Sequence, residues 1–194
     1  MGRFTLSFCK KVIFLFWGFS LLTGLIQAAE IEGVKIPATI ICDGKELPLS
    51  GAGLRTATFL NIKVYVVAVY APEKIKTGNL AELEQRPLCF EMTYLKEFDS
   101  EDVDKAWDFQ FKESGQHNYP ALKEDVMNIK KYFGEIKGDR KESFTLTGET
   151  TKVFENGELK GEIKGKDFQK SFLSIWFGTN PPTKDLQKDL LKGN

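Results

Sequence analysis

Residues 58–71 read TFLNIKVYVVAVYA, and no other stretch constrains the fold of this chain as tightly. β-Branched and aromatic residues dominate it; they lose side-chain freedom in a helix and suit a pleated, half-buried surface. Read as one strand, the run alternates. Leu60, Ile62, Val64, Val66, Ala68 and Tyr70 fall on one face, and Phe59, Asn61, Lys63, Tyr65, Val67 and Val69 on the other. The same parity carried backwards puts Arg55 on the second face, unless a bulge at residues 51–53 (GAG) interrupts it. The expectation is a sheet with one dry face and one mixed face that holds Arg55, Asn61 and Tyr65.

The flanking segments extend this sheet. Residues 31–36 and 38–42 read as short strands, Asp43-Gly44 as a hairpin turn, and residue 47 onward as the returning strand. A short helix near residues 80–84 precedes a strand at 88–95. Asp99 or Ser100 is placed to cap a helix to about Lys112, with Val103, Ala106, Trp107 and Phe111 on its inner stripe, where Trp107 reads as core rather than ligand contact. A second helix over 121–133 turns Leu122, Val126, Ile129 and Phe133 inward. Strands at 142–147, 150–155 and 158–164 follow, the last pair joined by Asn156-Gly157. Helices over 166–177 and from Pro182 to about Leu191 close the chain. This order predicts an α+β domain, a large antiparallel sheet covered on one face by helices.

The chain has 194 residues, enough for one domain with an appendage. The appendage is the N-terminus: Arg3, Lys10 and Lys11 precede a 15-residue apolar run over 12–26, and Ala28 and Ala29 follow. A basic start, a run shorter than the roughly 20 residues of a membrane span and a small-residue exit predict a signal peptide over 1–29 and a domain over 30–194. A periplasmic or secreted protein is expected, in contact with a membrane only through that segment if it is left uncleaved. Subtracting its three basic groups from 27 leaves 24 against 27 acidic groups, a mildly acidic chain with no electrostatic footprint for nucleic acid. Cys42 and Cys89 remain after cleavage, and either two buried thiols, the preferred reading, or a disulfide fits their apolar surroundings.

Chemistry-bearing motifs are few. His117 is the one histidine, set in a polar loop, so a histidine-based metal site is not expected; nor is a cofactor, since no P-loop or G-x-G-x-x-G opening a helix occurs. The closing KDLQKDLLKGN reads as a solvated amphipathic helix end. Arg55 is the exception. In GAGLRTATFL a guanidinium sits among small and apolar residues, where burial is costly unless an anion or several hydrogen bonds meet it. An internal carboxylate or the head group of an amphipathic ligand would satisfy it.

The stretch GAGLRTATFLNIKVYVVAVYAPE (51–73) resembles the chalcone isomerase family, in which a Gly-x-Arg turn feeds a long strand ending in a Val-Tyr pair; SFLSIWFGTNPPTKDLQKDLL (171–191) resembles that family's closing helices. The likeness is greatest to its secreted bacterial branch. It implies an open-faced β-sandwich with a ligand cleft between sheet and helices. It also implies that Arg55 matches the arginine used for catalysis or carboxylate binding, and that Tyr65 stands where plant isomerases have an active-site threonine. Thr183 matches a threonine of the last helix. The plant enzymes' tyrosine and asparagine align with Asp99 and Ala106, which removes two polar groups that would stabilise developing charge, each commonly worth about a hundredfold or more in rate. A shift of one turn in that alignment would return Tyr94 or Tyr119 as a candidate. The expected activity is therefore binding of a small amphipathic anion, a fatty or aromatic acid, through Arg55 with Tyr65, Asn61 and Tyr94 nearby. The alternative is a cofactor-independent isomerase of the intramolecular lyase type, acting on an enone or phenol through Arg55, Tyr65 and Thr183.

Overall fold

Two-residue turns with a glycine at the second position set three of the hairpins of this protein. At Glu32-Gly33, Asp43-Gly44 and Asn156-Gly157 both residues have positive φ, between 49° and 84°, the twist that matches flanking antiparallel strands. A computed structural model describes residues 27–58, 60–114, 119–138 and 140–192. The Glu32-Gly33 turn splits the single strand expected at 31–36 into a hairpin of β1 (Gln27–Ile31) and β2 (Val34–Pro37). Ala28 and Ala29, read as the exit of a signal peptide, lie within β1, with Ala29 opposite Ile36.

The main sheet is a seven-stranded antiparallel meander in sequence order: β3 (Thr39–Cys42), β4 (Lys45–Ala57), β5 (Ile62–Tyr70), β6 (Leu88–Tyr94), β7 (Lys141–Thr147), β8 (Thr150–Glu155) and β9 (Glu158–Lys164). The run at 58–71 is not one strand. Thr58 and Asn61 have positive φ and turn the chain between β4 and β5, so Arg55 reaches Tyr65 as a cross-strand partner and not by parity along one strand. Pairing between β4 and β5 slips twice. Ser50 is the extra residue in β4 and Val64 in β5, the second slip lying beside Arg55. The Val64 bulge lets Val64 and Tyr65 enter the same core cluster.

Helices α1 (Leu80–Leu83), α2 (Ser100–Ser114), α3 (Lys123–Tyr132), α4 (Lys166–Phe177) and α5 (Lys184–Lys192) complete the fold. Asp99 caps α2, its Oδ1 accepting the Asp102 N–H at 2.8 Å, and Val103, Trp107 and Phe111 are buried as their spacing requires. Odd-numbered Val67 and Val69 of β5 join the cluster under the helices, whereas Val66, Ala68 and Tyr70 join a second cluster under the β1–β2 hairpin. Both sheet faces are therefore dry over most of β5, and the mixed character expected of one face is confined to its Arg55 end. The GAG segment serves contact, not a turn. A β-carbon on Gly51 would collide with the Leu190 carbonyl and one on Gly53 would sit 2.8 Å from Leu186 Cδ1, so the glycines let α5 press onto β4.

Cys42 and Cys89 form a disulfide with a Cα separation of 6.2 Å, closing 47 residues of chain. This replaces the reading of two free thiols: β3 and β6 are not sheet neighbours, but both cysteines join the cluster beneath the β1–β2 hairpin. The bridge restricts the unfolded chain, so reduction should destabilise the protein by about 2–4 kcal/mol. Urea unfolding with and without dithiothreitol measures this, and an unchanged midpoint after both thiols titrate as free would refute it.

Candidate functional site

Arg55 and Tyr65 face each other across β4 and β5, with the guanidinium carbon 5.4 Å from the Tyr65 ring centre. On the far side of β5, Tyr94 of β6 is the cross-strand partner of Tyr65, and the rings meet edge to face at 5.8 Å. These three side chains line one cavity of about 230 Å³. Its roof is α2, through Val103, Ala106, Trp107 and Gln110; Ile175 and Trp176 of α4 close one wall and Met92 with Ile136 the floor. Trp107 was expected in the core, and it is there, 5% exposed and stacked on Phe133 at 5.2 Å, yet it also lines the cavity.

The walls are apolar and their few polar atoms are specific. Trp176 Nε1 donates to the Tyr65 hydroxyl at 3.3 Å. Burial raises the Tyr65 pKa, opposed by the positive charge of Arg55, so the ring is a neutral phenol at physiological pH. The Tyr94 hydroxyl and Oε2 of Glu142 are hydrogen-bonded at 2.9 Å, and burial, then Glu142, raises the Tyr94 pKa well above the ordinary value. Glu142 is completely buried; burial pushes its pKa to about 8, against the pull of Arg140. Arg140 reaches Glu142 Oε1 at 3.4 Å and Glu155 Oε1 at 3.0 Å.

Arg55 and Arg140 each bury an Nε without an aligned hydrogen-bond acceptor, but Arg140 has Glu142 and Glu155 within ion-pairing distance, whereas among the described residues no carboxylate comes that close to Arg55. A buried donor left without an acceptor costs about 1–3 kcal/mol, which an anion within reach of it would recover. The remaining candidates lie elsewhere. Asn61 and Thr183 border a separate polar groove outside the cavity that shares Arg55, Ala57 and Gln110 with it. Thr183 Oγ1 accepts the Leu186 N–H at 3.2 Å, which occupies it as the cap of α5. Tyr119 donates to Asp108 at 2.9 Å, away from the cavity, and Asp99 is spent on its helix cap. Ala106 lines the cavity and adds no polar group. His117 lies outside the described residues, among which no cluster of acidic, cysteine or histidine side chains is placed to hold a metal.

Sequence reasoning missed Gln110, Trp176 and Glu142. Gln110 lies in α2 beside its apolar stripe and Trp176 in the apolar sequence of α4, where an aromatic ring is ordinarily core, and a glutamate near a strand end is ordinarily exposed.

An antiparallel sheet, a helical roof and, between them, an apolar cavity bordered by an arginine with no carboxylate partner define an open-faced sandwich. The chain belongs to the chalcone isomerase-like family, whose model matches residues 28–192. No curated protein matches it at the sequence level. Among solved structures it is similar to a fatty-acid binding protein of Arabidopsis thaliana, with a TM-score of 0.65 and 21% identity over 82% of this chain and 92% of that one. At that identity the likeness concerns the fold.

Proposed function

We propose that this protein binds a small amphipathic anion, a fatty or aromatic acid, with the carboxylate at Arg55 beside Tyr65 and the apolar body between β5, β6 and α2. The observation that carries the reading is the buried Nε of Arg55, which has no acceptor of its own at the end of an apolar cavity. The fatty-acid binding neighbour supports the ligand class. At about 230 Å³ the space falls below the roughly 300–1,000 Å³ of drug-sized sites, which favours a medium-length chain or a single aromatic ring. Export to an oxidising, periplasmic or extracellular compartment, as in the secreted bacterial branch, fits the basic-then-apolar N-terminus and the Cys42–Cys89 disulfide. The isomerase alternative has less support. Ala106 brings no donor, Asp99 caps a helix and Thr183 faces another groove, leaving Arg55 and Tyr65 to stabilise an enolate.

The test is native mass spectrometry and calorimetry on wild type and Arg55→Ala with decanoate as probe. Wild type should bind it and Arg55→Ala about thirtyfold more weakly, the low end for truncating one partner of a charged pair because Arg55 is only partly buried. Equal affinities would remove Arg55 from the site. Failure of wild type to bind decanoate or an aromatic acid such as cinnamate, joined to turnover of a chalcone-like enone, would establish the alternative.

A further inference from the structure

Tyr94 has one hydroxyl hydrogen and two directions in which to use it. One is Glu142, 2.9 Å away and completely buried; the other is the cavity that Tyr94 lines. An ionised carboxylate can only accept, so it claims that hydrogen and leaves the hydroxyl oxygen only lone pairs to offer a bound group. A protonated Glu142 instead donates its own hydrogen to the Tyr94 oxygen and frees the phenol to donate inward. An anionic head group is repelled by the first arrangement and held by the second. Resting on the reading that the cavity takes an anion, we propose that Glu142 is a positioning residue for ligand recognition: while it carries a proton it turns the Tyr94 hydroxyl onto the head group, and on losing that proton it withdraws the contact.

The groups around Glu142 favour the protonated form at neutral pH. From β8, Glu155 faces it and shares Arg140, which lies 3.0 Å from Glu155 and 3.4 Å from Glu142. Arg140 is thus partly neutralised before Glu142 draws on it. Lys160 of β9 sits 3.2 Å from Glu155 and not on Glu142. From β6 the facing group is Tyr94 itself, and beyond it lie Tyr65 of β5 and Arg55 of β4. From α2, Asp102 borders the cavity as a further negative group. Full burial disfavours the charge more than Arg140 supports it, which places the loss of the proton near pH 8.

Decanoate affinity measured by calorimetry from pH 7 to 9.5 tests this on wild type, Glu142→Gln, Tyr94→Phe and Arg55→Ala, with decanol as an uncharged probe. Wild type should lose roughly tenfold to a hundredfold in decanoate affinity as pH rises, the value of one hydrogen bond to a charged acceptor, while decanol binding stays level. Glu142→Gln, whose amide donates permanently to Tyr94, should hold the low-pH affinity throughout, and Tyr94→Phe should show the weak, level profile. Two variants at separate positions keep the test open if one fails to fold, as circular dichroism would reveal. A wild-type profile that is flat, or that persists in Glu142→Gln, overturns the role of Glu142 while leaving Arg55 as the anchor if Arg55→Ala still binds weakly. Absence of decanoate binding by wild type at every pH overturns the binding reading and this inference together.

Discussion

Phe172→Ala should lower the stability of this protein by about 3–5 kcal/mol, the range for removing a buried phenylalanine ring. Phe172 is fully buried on α4, at the centre of the aromatic cluster that joins helices to sheet. Its ring lies 4.7 Å from Phe144 of β7, 4.9 Å from Trp176 one turn along, 5.5 Å from Phe90 of β6 and 6.5 Å from Trp107 of α2. Four elements meet on one side chain, so the lost transfer energy is joined by that of a hole walled by rigid rings, which cannot collapse without shifting a helix. Two of those rings, Trp107 and Trp176, also wall the ligand cavity, so the variant should bind less well even where it remains folded. Urea unfolding gives the number. Phe109→Ala, at a ring 58% exposed, is the control and should stay within about 0.5 kcal/mol of wild type. Equal losses for the two would mean that the cluster is not the centre of the core.

The second large effect is a dependence of stability on pH with a known owner. The Glu142 carboxyl moves from 4.5, its ordinary value, to about 8 in the folded protein because burial penalises its charge. Between those values the folded state holds a proton that the unfolded state has released, so stability falls as pH rises through this window. Below about pH 4.5 both states are protonated and the contribution is complete; above about pH 8 it is gone. At 1.36 kcal/mol per unit, the span amounts to about 3–5 kcal/mol. Glu142→Gln carries no such charge. Its stability relative to wild type should be near level at pH 4.5 and greater by that amount at pH 9, with Arg140 still paired to Glu155. Parallel stability curves for the two proteins would show that Glu142 is not neutral in the fold.

Much of the architecture was legible in the chain because it is written in local chemistry. Asn156-Gly157 and Asp43-Gly44 supply positive φ at the positions a tight hairpin needs, and β8, β9 and α4 occupy the residues that their periodicities mark. Glu32-Gly33 makes the same turn with a glutamate in the left-handed region, a weaker signal, and that hairpin was read as one strand. The site was half legible. Arg55 stood out because a guanidinium among small apolar residues needs an explanation, and Tyr65 because it lies in the neighbouring strand segment. Asn61 and Thr183 shared that neighbourhood in sequence, but the turn at residues 58–61 and the capping of α5 carried them to the outer groove.

Determined by the sequence alone were therefore the element types, two of the hairpin turns, the family likeness and an arginine set among small apolar residues, since each rests on residues a few positions apart. Tertiary structure alone decided the Cys42–Cys89 bond, the bulge that brings Val64 onto the same face as Tyr65, and the burial of Glu142 behind Tyr94. The physical reason is the same for all three. Bonding distance, strand register and desolvation are properties of residues brought together from remote parts of the chain, with Tyr94 and Glu142 48 positions apart, and no local pattern encodes them.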